Sequence, residues 1–433
     1  MNNHAGLLSS ELNEVIHKSL DFRGKTPLKI GMEWGGGEIL ALSANNVVMG
    51  GIDKNREAYY GGELLYSKWM NKGDCEQGDI LLTMEAPLGN VAQIPDGKKY
   101  ILSQRVILLK PKRDIILPNY LFYFIMGSEF QRDLIKNSTG STVTGIQQKK
   151  LNKIHICYPS LSKQQKIAKI LTTIDQLIDK TQAIMDKQIA IKQGMMADLF
   201  TRGIDLSTGQ LRPPVEQAPE LYKETELGWV PREWGSGKLG RYISKIEQGW
   251  SPDCMHEAAS PGVWGVLKTT AVVWDGFVGL ENKMLPLSMK PRKEYEVFSG
   301  DVLMTRAGPG ARVGVVAYVE SVQDKLMLSD KLYRIRPNEQ IEPSYLSLLL
   351  SSDQIQSQLN CTKTGLAESQ SNISQEIVKK LNIFVPEVGE QKEIGKRLNS
   401  IEAKKAALKT EVSKYKSVKT GLMQDLLTGK VAV

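Results

Sequence analysis

The sequence predicts an α+β chain: two mixed α/β domains in a pseudo-twofold arrangement, separated by two long antiparallel coiled-coil helices. Three observations predict it. The chain repeats itself at long range, each repeat joins a strand-and-turn part to a helical part, and the helical parts carry an apolar stripe.

The repeat is read first. Thr144–Gly203 aligns with Ser371–Lys430 without a gap, so that Pro159 falls on Pro386, Gln164 on Gln391, Ile167 on Ile394, Leu171 on Leu398, Lys192 on Lys419 and Asp198 on Asp425. Upstream, Gly78–Thr83 answers Gly300–Thr305, Pro118–Leu121 answers Pro343–Leu346, and Gly24–Pro27 answers Gly249–Pro252. The unit is nearly half the chain and occurs twice, which is a tandem duplication and not a solenoid.

Within each copy the elements follow from local pattern. Gly78–Met84, Ile101–Leu109, Gly300–Thr305 and Val313–Val319 are short apolar runs bounded by Gly, Pro, Asn and Asp, and read as strands joined by turns. Segments starting near Pro118 and Pro343 read as helices. Ser162 with Gln165 three residues on reads as a capping box opening a long helix. From there Ile167, Ile170, Ile174, Leu177, Thr181, Ile184, Gln188, Ile191 and Met195 recur in steps of three and four. Ile394, Leu398, Ile401, Leu408, Val412, Tyr415 and Leu422 follow the same rule in the second copy. Each helix would run about 35–40 residues, roughly 55 Å. Thr201–Gly237, with Arg212-Pro213-Pro214, reads as a crossover. The expected divisions are 1–160 and 236–387 for the two domains, 161–203 and 388–433 for the helices, and 204–235 for the linker.

Composition narrows the function. Hydrophobic content of 41% is that of a folded protein, and a net charge of +8 allows a polyanionic partner. The longest apolar runs, Tyr120–Met126 and Leu346–Leu350, are too short to cross a bilayer, and the N-terminus has no secretion-signal pattern. Four scattered cysteines form no CxxC pair, which fits a reducing cytoplasm. No membrane partner is expected.

No catalytic constellation stands out. GxGxxG, an Asn/Asp-Pro-Pro-Tyr/Phe site and a Gly-rich loop ending Gly-Lys-Ser/Thr are all missing, and Lys268-Thr269-Thr270 lacks the glycines of a phosphate cradle. Cys254 with His256 offers only two ligands, better read as a surface placement. Pro252-Asp253 with Glu281-Asn282-Lys283 is too short a likeness to a nuclease site to weigh. A non-enzyme that binds no cofactor or metal of its own is expected.

What remains is a candidate polyanion-reading surface. Lys149, Lys150, Lys153, Lys163, Lys166 and Lys169 cluster where the first domain meets its helix. Lys379, Lys380, Lys392, Lys396 and Arg397 do so in the second copy. The bland alternative is a solvated helix face. The scaffold matches between copies but the loops differ. Met84–Gly89 stands against Arg306–Arg312, Ser103-Gln104-Arg105 against Ser329-Asp330-Lys331, and Ser138–Thr144 against Thr364–Ser371. Gln and Arg have the geometry to meet adenine and guanine edges. The candidate DNA-binding residues are therefore Lys25, Thr83, Gln104, Arg105, Ser141, Thr142, Lys149 and Lys150 in the first copy. In the second they are Lys268, Thr269, Thr305, Arg306, Arg312, Lys331, Ser371 and Asn372. Ile167, Ile174, Ile184, Ile191, Ile394, Ile401, Leu408, Tyr415 and Leu422 are the candidate helix-pairing and subunit-interface residues.

The chain as a whole resembles the specificity (S) subunits of type I restriction-modification systems. Pro159–Ile167 resembles their Pro-x-Leu-x-x-Gln signature, and so does Pro386–Ile394, with Val388 in place of the leucine. Gly421–Lys430 resembles their helix ending, and Glu226–Trp234 their usual start of the second domain. The first domain departs from the pattern, lacking the Gly-Trp-x-Pro start and carrying a Gly35-Gly36-Gly37 run. The resemblance implies two target recognition domains, each reading half of a split site in double-stranded DNA. It also implies helices that dock two methyltransferase (M) subunits, with restriction (R) subunits joining. S-adenosylmethionine, ATP and Mg²⁺ would then be handled by those partners. The alternatives are a subunit of a related system with a fused nuclease-methyltransferase, or a coiled-coil scaffold that binds protein.

Overall fold

The computed structural model describes residues 7–140, 144–362, 371–431 and 433. They form two compact units, one made of Met1–Ala183 with Leu408–Val433 and the other of Ile184–Ala407.

In the first unit a four-stranded antiparallel sheet has the order Ile16–Asp21, Val106–Pro111, Ile80–Met84, Leu88–Gln93. The second unit repeats it as Ile243–Gln248, Leu332–Pro337, Val302–Thr305, Val316–Tyr318. The registers correspond rung for rung: Val106 pairs with Thr83, and Leu332 with Thr305. Both sheets slip register where the strand ends in proline, at Pro111 opposite Ile16 and at Pro337 opposite Ile243. Proline has no N–H to give the ladder, so both copies end pairing there.

The inner strands Ile80–Met84, Val106–Pro111 and Val302–Thr305 are apolar at nearly every position because both faces are covered. Ile80, Leu82, Met84, Ile107 and Leu109 face a core built with Tyr120 and Leu121 of the helix Pro118–Met126. Leu81, Val106 and Leu108 face a second core with Trp69 and Leu102. The second unit divides alike: Val302, Met304, Tyr333 and Ile335 pack with Tyr345 of the helix Pro343–Leu350, while Leu303, Leu332 and Ala317 face the other way. Alternation by two along each strand does the sorting. Pro118 and Pro343 open their helices, where a fixed φ and a missing N–H cost nothing.

The long helices are Leu161–Thr201 and Val388–Leu427, of 41 and 40 residues. The first begins one residue before Ser162, so Ser162 lies in its first turn and the capping-box expectation is corrected. The neighbouring Gln164 takes the structural role. Fully buried, it donates from Nε2 to the carbonyls of Ile115 (3.0 Å) and Pro159 (2.9 Å) and accepts from Leu117 N–H (2.8 Å). Gln391 does the same in the second unit, donating to Gln340 and Pro386 (both 2.8 Å) and accepting from Glu342 N–H (2.9 Å). In each unit the amide ties the loop before the Pro-led helix to the root of the long helix.

Each unit contains an antiparallel crossing. In the first, Ile167 and Leu171 share a core with Leu426 and Leu427, while Asp175 pairs with Lys419 at 2.6 Å. In the second, Leu199 shares a core with Ile394, while Lys192 pairs with Glu402 at 2.6 Å. Asp175 and Lys192 align with Glu402 and Lys419 under the repeat, so the two ion pairs are copies of one another. The buried seam of the second helix includes Ile394, Leu398, Ile401 and Val412, with Leu408, Tyr415 and Leu422 half-buried. On the first helix Ile167 is buried and Ile174 half-buried, but Ile184 and Ile191 are 49% and 39% exposed. The expected seam is corrected there: Leu171, Ile178, Met185, Lys192 and Leu199 carry it on. The other row of the expected stripe, Ile174, Thr181, Gln188 and Met195, is buried or half-buried, so the true partner row lies four residues after each of these and not three.

The linker forms two hairpins, Ile204–Asp205 with Gln210–Leu211 and Tyr222–Thr225 with Gly228–Pro231. It is bound to the root of the second long helix by Glu390, which is 2% exposed. That carboxylate accepts from Arg212 at 2.6 and 3.1 Å, from Ile204 N–H at 2.7 Å and from Trp234 Nε1 at 3.1 Å. Gly203, at φ 66°, passes so close that a Cβ would lie 2.1 Å from Glu390 Oε1. Among the described residues no helix is long and apolar enough to cross a membrane.

Candidate nucleic-acid interface

One inner strand of each sheet carries a buried threonine at its far end, Thr83 as the last residue but one of Ile80–Met84 and Thr305 as the last of Val302–Thr305. Thr83 Oγ1 accepts from Asn90 N–H (2.8 Å), and Thr305 Oγ1 accepts from Val315 N–H (2.9 Å). Both are essentially unexposed. They are corrected as candidate contacts: they brace the turn that follows, and it is the turn that can meet a ligand.

The loops gathered beyond these threonines match between units and differ in side chains. In the first unit Met84 N–H donates to the Arg105 carbonyl (2.7 Å), and the Arg105 guanidinium lies 4.0 Å from Glu85. Gln104 and Arg105 line an open cavity of about 600 Å³ with Lys25, Asn45, Glu33, Trp34 and Tyr59. Lys25 turns its ammonium inward: it donates to the Trp69 carbonyl (3.0 Å) beside the Phe22 and Trp69 rings, and burial lowers its pKa. Lys149 and Lys150 are exposed on the short helix Gln148–Leu151, away from this cavity and tied by Gln148 to Ser19 of an outer strand. Ser141 and Thr142 lie outside the described residues.

In the second unit the corresponding loops are basic. Arg306 N–H donates to the Lys331 carbonyl (2.9 Å), the counterpart of Met84 with Arg105. The Arg306 guanidinium lies against the Tyr333 ring and donates to the Asp330 carbonyl and to Asn372 Oδ1, both at 3.2 Å. Ser371 and Asn372 pair as a strand with Gly308 and Ala307. Arg312 reaches the Thr269 carbonyl at 3.5 Å. Lys268 lies 3.3 Å from Glu281, whose carboxyl is held below its usual range by hydrogen bonds from Thr270 and Lys268. The structure thus brings Lys268, Thr269, Arg306, Arg312, Lys331, Ser371 and Asn372 into one connected set of loops.

Behind these loops a buried arginine knits the sheet. Arg334, 1% exposed, meets Glu247 at 2.7 Å and Asp301 at 3.3 Å, and Arg336 joins Glu247 at 2.7 Å. Burial works to raise the Glu247 pKa, but the bonds from Arg334, Arg336 and Lys245 prevail and bring it down to about 2.

Sequence reasoning missed the aromatic wall of the first cavity. Trp34 and Tyr59 stack with centroids 5.3 Å apart and 13° between planes, and Trp34 also packs on the buried Trp69. The Gly35-Gly36-Gly37 run was the available signal. A Cβ on Gly37 would lie 2.6 Å from Gly62 Cα, and one on Gly62 2.5 Å from the Gly36 carbonyl oxygen. Only glycines let these two backbones touch, and that contact sets Trp34 beside Tyr59.

Among the described residues no group of three or more His, Cys, Asp or Glu is placed to hold a metal ion. A family model described as the type I restriction modification DNA specificity domain matches residues 9–188 and 270–414. The EcoEI specificity subunit of Escherichia coli is 43% identical over 176 residues, which are 40% of this chain and 29% of that protein. The MjaVIII specificity subunit of Methanocaldococcus jannaschii is 27% identical over 377 residues, covering 82% of this chain and 80% of that one. Among solved structures, the S subunit of a type I system from M. genitalium superposes with a TM-score of 0.58 at 14% identity, covering 98% and 97% of the two chains. A chain from a type I R-M complex gives 0.53 at 16% identity, covering 99% of each. At such identities the superpositions speak to fold alone.

Proposed function

The chain belongs to the type I restriction-modification DNA specificity family, and we propose that it reads a split DNA sequence, one half with each unit, for a methyltransferase and restriction complex. One observation carries the reading. Two sheets of matching order and register, with equivalent buried threonines near the end of one inner strand, present loops of different chemistry: Gln104 and Arg105 with an aromatic cavity in one, and Arg306, Arg312, Lys268 and Lys331 in the other. A shared frame with unlike polar loops is what two readers of unlike half-sites require.

The partners follow from the same reading. Two methyltransferase subunits dock on the helices, and restriction subunits join that core. The exposed Ile184 and Ile191 on the first long helix offer apolar surface for such docking. S-adenosylmethionine, ATP and Mg²⁺ belong to those partners. This chain performs no chemistry of its own and works in the cytoplasm.

Binding of the chain, assembled with its methyltransferase partner, to duplex DNA across a salt series tests the reading. A protein making 6–10 phosphate contacts loses about 10³–10⁵ in affinity between 50 and 200 mM salt. A flat response would favour a protein-binding scaffold instead.

A further inference from the structure

The first unit's cavity has a stacked aromatic pair in its lining. A paired base is read by a projection entering a major groove about 12 Å wide. A concave space of about 600 Å³ cannot do that, yet it falls within the roughly 300–1,000 Å³ typical of small-molecule sites. Its wall is a π surface. Trp34 is seated on Trp69, which is fully buried and fixed by a 2.8 Å bond from Nε1 to the Leu102 carbonyl. Tyr59 stacks on Trp34 and remains 56% exposed. The lining also brings a carboxylate from Glu33, amides from Asn45 and Gln104, and the guanidinium of Arg105. A flat aromatic surface among both donors and acceptors is the complement of a nucleobase.

We propose that this cavity receives one nucleobase of the half-site read by the first unit, turned out of the duplex and stacked against the Trp34–Tyr59 wall. The proposal rests on the DNA-reading function and deepens it. Extrusion costs unpairing and unstacking, least at weakly paired positions, and stacking on an aromatic surface offsets that cost. The place that answers to it in the second unit is built differently. The offset that sets Pro27 on Pro252 sets Trp34 on Ala259, which is buried. The aromatic pair described in that unit, Phe200 with Tyr345, lies in its core. At this place in the fold, extrusion is therefore expected in the first unit's half-site and not in the second's.

The test uses the chain assembled with its methyltransferase partner and duplexes carrying its site, identified by methylation mapping. 2-Aminopurine replaces each position in turn. Apart from the base that becomes methylated, one position in the first unit's half-site should brighten several-fold on binding, and none should in the other half. Placing an abasic residue opposite that position should raise affinity. Tyr59→Ala, an exposed substitution that keeps the fold, should remove the brightening and weaken binding about ten-fold. Specific binding without a second responsive position, or brightening that survives both Tyr59→Ala and Trp34→Ala, overturns the proposal while leaving DNA reading intact. Failure to bind any sequence specifically overturns both.

Discussion

Replacing Gln164 with Ala should loosen the junction between the loop that leads into Pro118–Met126 and the first long helix, and Gln391→Ala should do the same before Pro343–Leu350 in the second unit by the same amount. Each substitution deletes three hydrogen bonds of a fully buried amide, one of them wholly buried and two part-buried. It strands two carbonyls and one N–H: Ile115, Pro159 and Leu117 in one unit, Gln340, Pro386 and Glu342 in the other. A buried polar group left without a partner costs about 1–3 kcal/mol, and water entering the small cavity recovers part of it. The expected loss is therefore about 2–4 kcal/mol per site. The natural assay is amide hydrogen exchange in the full chain, read at Leu117 and Glu342, whose N–H groups donate to the two glutamines. Protection at each should fall by roughly 30-fold or more, since 1.4 kcal/mol is a factor of ten. The other unit should be unaffected. A change under about three-fold at both sites, or a large loss at one glutamine with none at its repeat mate, would refute the clamp.

Three further outcomes follow. Glu390→Gln leaves the Arg212 guanidinium without its bidentate partner, because Glu233, at 3.4 Å, is largely exposed; stability should fall by about 3–5 kcal/mol in urea unfolding, with protection lost at Ile204 N–H. Glu247 titrates lower folded (about 2) than unfolded (4.5), so its contribution is complete above about pH 4.5 and drains away as pH falls toward 2; Glu247→Gln should flatten the loss of urea midpoint between pH 5 and 3. Exchanging Asp175 with Lys419 should be nearly neutral while either reversal alone destabilises, because the pair is half-buried at 2.6 Å; a double-mutant cycle in thermal unfolding measures the coupling.

The repeat made most of the architecture legible. Matching Gly78–Thr83 to Gly300–Thr305 anticipated two sheets of one order, because a strand buried on both faces keeps its apolar run through duplication. The same matching misled at Thr83 and Thr305: two identical threonines at one register are alike because they are buried, while contact residues are free to diverge. The first helix shows how a local count fails. Its seam drifted onto Ile184 and Ile191, although carrying the second helix's Leu398, Val412 and Leu426 back through the repeat lands on Leu171, Met185 and Leu199. The aromatic wall stayed hidden because Trp34 and Tyr59 are far apart in sequence and meet only through a glycine contact. That Lys25 spends its charge on a carbonyl was equally invisible, since burial of a lysine stem depends on Phe22 and Trp69 closing over it.

If each unit reads one half-site, exchanging one unit's recognition segment must change one half alone. Methylation mapping should therefore be carried out in a host expressing this chain with Lys238–Val385 replaced by the matching segment of a relative. One half of the methylated sequence should change, while the other half and the spacing between them stay as they were. Changes in both halves, or in neither, would contradict that reading.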